Sequence, residues 1–141
     1  MNSYLDTSAL VKLVIVERDT DVVTTLWSHV DDPYASLLGY AEMRAAVASA
    51  IRAGRVPAFD EAAVRQTLDG VWRHMIGVEV DDRVVRAAGD LADRHRLRAA
   101  DAIHLASAIR IREADTAFIT FDARLREAAA AEGFMVLPET V

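Results

Sequence analysis

The chain has 141 residues, 52% of them apolar and 27% charged, with a formal net charge of −6 and no cysteine. That length and composition predict a single folded domain. The missing cysteines exclude disulfides, thiolate metal sites and a cysteine nucleophile, and the acidic balance excludes adhesion to nucleic acid through bulk positive charge.

Apolar runs such as Leu13-Val14-Ile15-Val16 fall far short of the roughly 20 residues that span a bilayer. No membrane association is therefore expected, and the protein is expected in the cytoplasm. Asn2 to Leu5 reads as a short strand, and the hydroxyl of Thr7 or Ser8 is expected to cap the helix after it. Asp6 then stands at the strand's carboxyl end. Asp19 to Val30 carries Val22, Val23, Leu26, Trp27 and Val30 at helical spacing and is broken by Asp31-Asp32-Pro33. Tyr34 to Ser36 is a strand candidate. A small-residue helix runs from Leu37 to Ala53, stopped by Gly54, with Leu38, Ala41, Ala45, Ala48 and Ile51 as its stripe.

Asp60 is placed to cap a helix reaching about Met75, with Val64, Leu68, Val71 and Trp72 inward. Gly77 to Val80 reads as a strand, and Asp81 caps a helix ending near His95. Ala99 to Glu113 is helical, Thr116 to Phe121 is a strand, Ala123 to Glu132 a last helix, and Phe134 to Leu137 a final strand. Short strands alternating with helices predict an α/β fold, three layers with a short central parallel sheet covered by helices on both faces. Nothing marks a boundary inside residues 1–141.

In an open parallel sheet, sites form beyond the carboxyl ends of the strands. Asp6 and Asp122 both follow apolar strands directly, and two helical acids point inward by the three-and-four rule. Glu42 shares a face with Leu38, Ala45 and Ala46, and Asp101 with Leu97, Leu105 and Ala108. Singly, each acid is a helix cap or an edge residue. Together they need a positive charge, because two like charges about 4 Å apart repel by ~4 kcal/mol at an effective dielectric near 20. An arginine such as Arg44 or Arg98 is one candidate. A hard divalent cation suits four carboxylates better, and would favour phosphodiester chemistry.

The stretches YLDTSALVKL, the lone Glu42 in a helix, LRAADAIHLASA around Asp101 and FITFDARL around Asp122 together resemble the PIN-domain ribonucleases, and among them the VapC-type toxins of toxin-antitoxin modules. The resemblance covers essentially the whole chain. It implies a PIN-like α/β/α fold and an endoribonuclease dependent on Mg²⁺ or Mn²⁺ that hydrolyses RNA through an activated water. Asp6, Glu42, Asp101 and Asp122 match the family's metal-holding acids, with Thr7, Ser8 and Thr120 in support. It also implies a homodimer, a cognate antitoxin, and contact with promoter DNA only through that antitoxin.

His104 lies on the side of Asp101 and is read as a core or supporting histidine, since no paired-histidine spacing accompanies it. Trp27 and Trp72 are read as core or dimer contacts. Among the arginines of the Asp93 to Arg98 run, Arg98 and Arg96 are candidate RNA contacts. Two rival readings stand beside the nuclease. One is a non-catalytic protein-binding module whose acidic pocket captures a partner's arginine. The other is an aspartate-based phosphotransfer protein, which the serine at position 8 and the lack of a late lysine disfavour.

Overall fold

The structure is a computed structural model that describes residues 1–140. In chain order the elements are β1 (Ser3–Leu5), α1 (Thr7–Lys12), α2 (Thr20–Trp27), β2 (Pro33–Ser36), α3 (Leu38–Arg52), a 3₁₀ turn at Ala58–Asp60, α4 (Glu61–His74), β3 (Ile76–Val78), α5 (Asp82–His95), α6 (Ala99–Ile111), β4 (Ala117–Ile119), α7 (Ala123–Ala131) and β5 (Met135–Leu137). All strand pairings are parallel and the sheet order is β3-β2-β1-β4-β5. The chain adds strands in one direction from β1, then returns to β1's other side with β4. That reversal makes the β1–β4 boundary the switch point where a crevice opens beyond the strand ends.

Successive strand residues point to opposite faces, and two cores follow from this. Tyr4 and Phe118, both fully buried, join Leu91, Leu105 and Leu125 from α5, α6 and α7. Leu5 and Ile119, one residue further along, join Leu10, Val23, Met43, Val47 and Leu68 from α1, α2, α3 and α4. The expected three-layer arrangement is therefore present, with α6 buried on nearly every side. Tyr4 and Phe118 stack at a centroid separation of 5.2 Å, which fixes β1 against β4 at the level just below the strand ends.

Local details depart from the sequence reading in several places, and Asp60 precedes α4 in helical conformation without a side-chain cap bond. The α1 cap is Asp6, whose carboxylate accepts the Ala9 N–H, while Thr7 and Ser8 lie inside the helix. Thr7 and Ser8 are thereby free to bond elsewhere. The buried side of α3 is Gly39, Met43, Val47 and Ala50, and Ala41 and Ala45 are exposed. Alanines on every side of a helix leave its larger apolar residues, with Met43 and Val47 the most buried of them, to decide its orientation. β3 covers Ile76–Val78 because its partner β2 ends at Ser36, opposite Val78. β4 closes at Ile119, opposite Leu5, rather than at Phe121. Asp81 and Asp122 do cap their helices, accepting the Val84 and Leu125 N–H groups respectively.

Arg96 closes α5 in the left-handed region at φ 54°, a conformation that costs an L-residue roughly 1–2 kcal/mol and a glycine almost nothing. Part of that gain returns as extra freedom of the unfolded chain. Arg96→Gly is expected to raise stability by up to about 1 kcal/mol, read as a higher urea midpoint at unchanged slope; a lower midpoint would show that the arginine side chain holds the turn.

Candidate active site at the switch point

Asp6 leaves β1 at the switch point and is 3% exposed. A carboxylate so buried survives only with donors around it. Its Oδ1 accepts from the Ser8 hydroxyl at 2.7 Å and the Ala9 N–H at 3.1 Å, and its Oδ2 accepts from the Thr120 hydroxyl at 2.7 Å. Burial pushes the carboxyl above its ordinary range, against the opposing pull of His104, Ser8, Thr120 and Ala9. The same groups tie two strand ends together. Ser8 Oγ accepts the Phe121 N–H at 2.9 Å, and Thr120 Oγ1 accepts the Asp122 N–H at 3.1 Å.

Glu42 is half-buried on α3. Its Oε1 accepts from the Thr7 hydroxyl at 2.7 Å and from His104 Nε2 at 2.5 Å. Burial pushes this carboxyl up, but the bond and charge of His104 and the bond of Thr7 outweigh it and hold it below the ordinary range. Asp101, in the first turn of α6, lies at the opposite extreme. Burial raises it first, then the charge of Asp122, with Glu42 adding and His104 and Arg98 opposing. Asp122 caps α7 with Oδ1 on the Leu125 N–H at 2.9 Å. Asp101 and Asp122 line one cavity of about 290 Å³ with Arg98, Ala123 and Arg124.

Each carboxylate oxygen has two acceptor positions. Asp6 Oδ1 and Glu42 Oε1 are filled, whereas Asp6 Oδ2 keeps one position, and Glu42 Oε2, Asp122 Oδ2 and both oxygens of Asp101 accept no protein hydrogen bond among the described residues. The free positions are hard oxygen donors of the kind a small divalent cation takes together with waters. Among the described residues no three acidic or histidine side chains close into a ready-made ion cage. The donor chemistry fits a hard cation, and the acids extend as separate arms from the ends of β1 and β4 and from α3 and α6.

The four acids expected from the sequence are thus brought to one end of the sheet, with Thr7, Ser8 and Thr120 as their donors. Arg98 lies beside Asp101, and Arg96 lines an adjoining cavity of about 430 Å³ with His95, Arg124, Glu127, Ala128 and Ala131. Arg124 borders both cavities. It escaped the sequence reading, although its position two residues after Asp122 was a usable sign.

The sequence matches the PIN domain family over residues 3–131. The chain belongs to the PIN-domain family. Ribonuclease VapC45 of Mycobacterium tuberculosis (strain CDC 1551 / Oshkosh) is 39% identical over 106 residues, covering 75% of this chain and 74% of that one, which places this PIN domain in the VapC group. Two solved structures share its fold. One is a toxin-antitoxin complex from Klebsiella pneumoniae, with a TM-score of 0.60, 20% identity, and coverage of 86% of this chain and 87% of that one. The other is VapBC2 from Rickettsia felis bound to a DNA fragment from their promoter, with a TM-score of 0.66, 12% identity, and coverage of 96% and 97%.

Because ionised Asp101 is disfavoured in the folded PIN domain, its charge destabilises the fold above its raised pKa, and the penalty fades as pH falls toward the ordinary 3.8. In a metal chelator, Asp101→Asn is expected to melt above the native chain at pH 8, with the gap narrowing as pH is lowered; a gap independent of pH would refute the charge explanation.

Proposed function

We propose that the protein is a metal-dependent endoribonuclease, the toxin of a toxin-antitoxin pair, hydrolysing RNA phosphodiester bonds. The observation that carries this reading is the set of unshared carboxylate oxygens on Asp6, Glu42, Asp101 and Asp122 at the switch point, in a chain related to a ribonuclease of the VapC group. Asp6, Glu42, Asp101 and Asp122 would hold the cofactor, Mg²⁺ or Mn²⁺. When bound, such an ion lowers the pKa of a water and offsets charge on a phosphoryl oxygen.

The chain's own groups supply position and charge. Ser8, Ala9 and Thr120 fix Asp6, so that one oxygen position remains. Arg96, Arg98 and Arg124 form no ion pair within 4 Å among the described residues, and together they edge the two adjoining cavities. We assign them to the phosphates of a single RNA strand entering from the larger cavity toward Asp101 and Asp122. Arg94 is excluded from this role because it pairs with Glu132 at 2.6 Å. A net acidic protein in this way presents a local positive edge without a general affinity for nucleic acid. The near-complete burial of Asp6, with both oxygens engaged, counts against an attacking nucleophile and so against phosphotransfer.

We further propose a homodimer and a cognate antitoxin, with promoter DNA contacted through the antitoxin alone. The structural likeness to assemblies of that kind supports the antitoxin.

Asp6→Asn and Asp101→Asn are each expected to reduce Mn²⁺-dependent cleavage of a structured-RNA panel at least ~100-fold while the chain stays folded. Wild-type protein that cuts no RNA with Mn²⁺ or Mg²⁺, yet binds a co-encoded small protein, would favour the protein-binding module instead. In the cleavage-dead Asp6→Asn background, Arg124→Gln and Arg98→Gln are each expected to weaken RNA binding and to flatten the plot of log affinity against log salt by about 0.7, the loss of one single-strand phosphate contact. An unchanged slope would remove these arginines from the RNA path.

A further inference from the structure

His104 is 2% exposed and sits between two groups that restrict it from opposite sides. Its Nε2 lies 2.5 Å from Glu42 Oε1 and 3.2 Å from Thr7 Oγ1, and its Nδ1 lies 2.8 Å from the Tyr4 hydroxyl. The Glu42 carboxylate only accepts hydrogen bonds, so the hydrogen shared in that contact belongs to Nε2. On the other side, the Tyr4 oxygen accepts the backbone N–H of Ser36 at 3.0 Å and meets Nδ1 in a second hydrogen bond. The ring orientation is set by this chain of bonds. Tyr4 is itself fully buried and stacked on Phe118.

We propose that His104, aligned by Tyr4, is a positioning residue that anchors Glu42 through Oε1 and so presents Oε2 as that residue's single ligand oxygen. The inference rests on the metal-dependent reading above. It gives the buried histidine a purpose that core packing does not require, since an apolar side chain would fill the space between α3 and α6 without needing the Tyr4 hydroxyl as a partner. Thr7 completes the anchor from α1 and occupies the second acceptor position of Oε1. With Oε1 saturated, Glu42 cannot chelate through both oxygens, and rotation of its carboxylate would break two bonds at once. Groups that orient a metal ligand from behind typically contribute 10–100-fold to metal affinity.

The test measures Mn²⁺ binding to the RNA-free full chain by electron paramagnetic resonance, beside thermal melting of each variant. His104→Leu is expected to weaken Mn²⁺ binding at least ~10-fold. His104→Gln, whose amide N–H₂ reaches toward Glu42 from the same backbone position, is expected to recover most of that loss. Tyr4→Phe, which keeps the ring and removes the hydroxyl, is expected to give a smaller loss. Equal Mn²⁺ affinity in the leucine variant and the native chain would overturn the proposal, as would a glutamine variant as weak as the leucine variant at similar melting temperature. If His104→Leu does not fold, the glutamine and Tyr4→Phe variants decide: affinities equal to native for both would overturn it. The anchor itself is read without metal, from the Nε2–H resonance of ¹⁵N-labelled His104, expected to shift on Glu42→Gln. A shift together with no Mn²⁺ binding by the native chain would sink the metal-dependent reading while leaving the Glu42 anchor in place, and no shift would sink the anchor.

Discussion

The arrangement depends on one carboxylate that the fold has almost removed from water. Asp6 caps α1, bonds Ser8 within that helix and bonds Thr120 across from β4. A buried charge without those donors would cost several kcal/mol, so the positions of β1, α1 and the end of β4 are fixed together. Thr120 shares its hydroxyl between Asp6 and the backbone of Asp122, and the start of α7 is thereby set by the same group. Two strands adjacent in the sheet but more than a hundred residues apart in the chain are joined by one side chain at the place where the sheet reverses its order.

The electrostatics sort the four acids by environment. Glu42, with a histidine and a threonine on one oxygen, is held ionised, whereas Asp6 and Asp101 are pushed toward their neutral forms. Asp6 is pushed by burial against good hydrogen bonds, and Asp101 by burial together with its acidic neighbours. Burial outweighs the donors at Asp6, whereas the bond and charge of His104 outweigh burial at Glu42. A cluster in which every acid were equally well paired would carry little demand for a cation, and one with none paired would splay the strand ends.

Much of this was legible in the amino-acid order. Apolar triplets followed directly by Asp6 and shortly by Asp122 mark strand ends with acids beyond them, and helical spacing turns Glu42 and Asp101 to the same interior. The cap of α1 was not legible, because aspartate, threonine and serine stand in a row and all three side chains can accept from a helix's first N–H groups; only the strand's length decides which comes first. The face of α3 was obscured by its alanines. The Tyr4–His104 contact spans 100 residues, and only the β1–β4 pairing and the depth of α6 bring it about. Spacing placed His104 on the right side of its helix but could not reveal what it would meet there.

Helix α7 has nine residues, about 13 Å at the usual rise, and it is fastened at both ends. Asp122 caps it beside Thr120, and just past its far end Glu132 takes Arg94 and His95 from the last turn of α5. It therefore behaves as a strut of set length between the acid cluster and the end of α5. The separation between the end of α5 at Arg96 and the carboxylates beside Asp122 is held by one helix rather than by a loop.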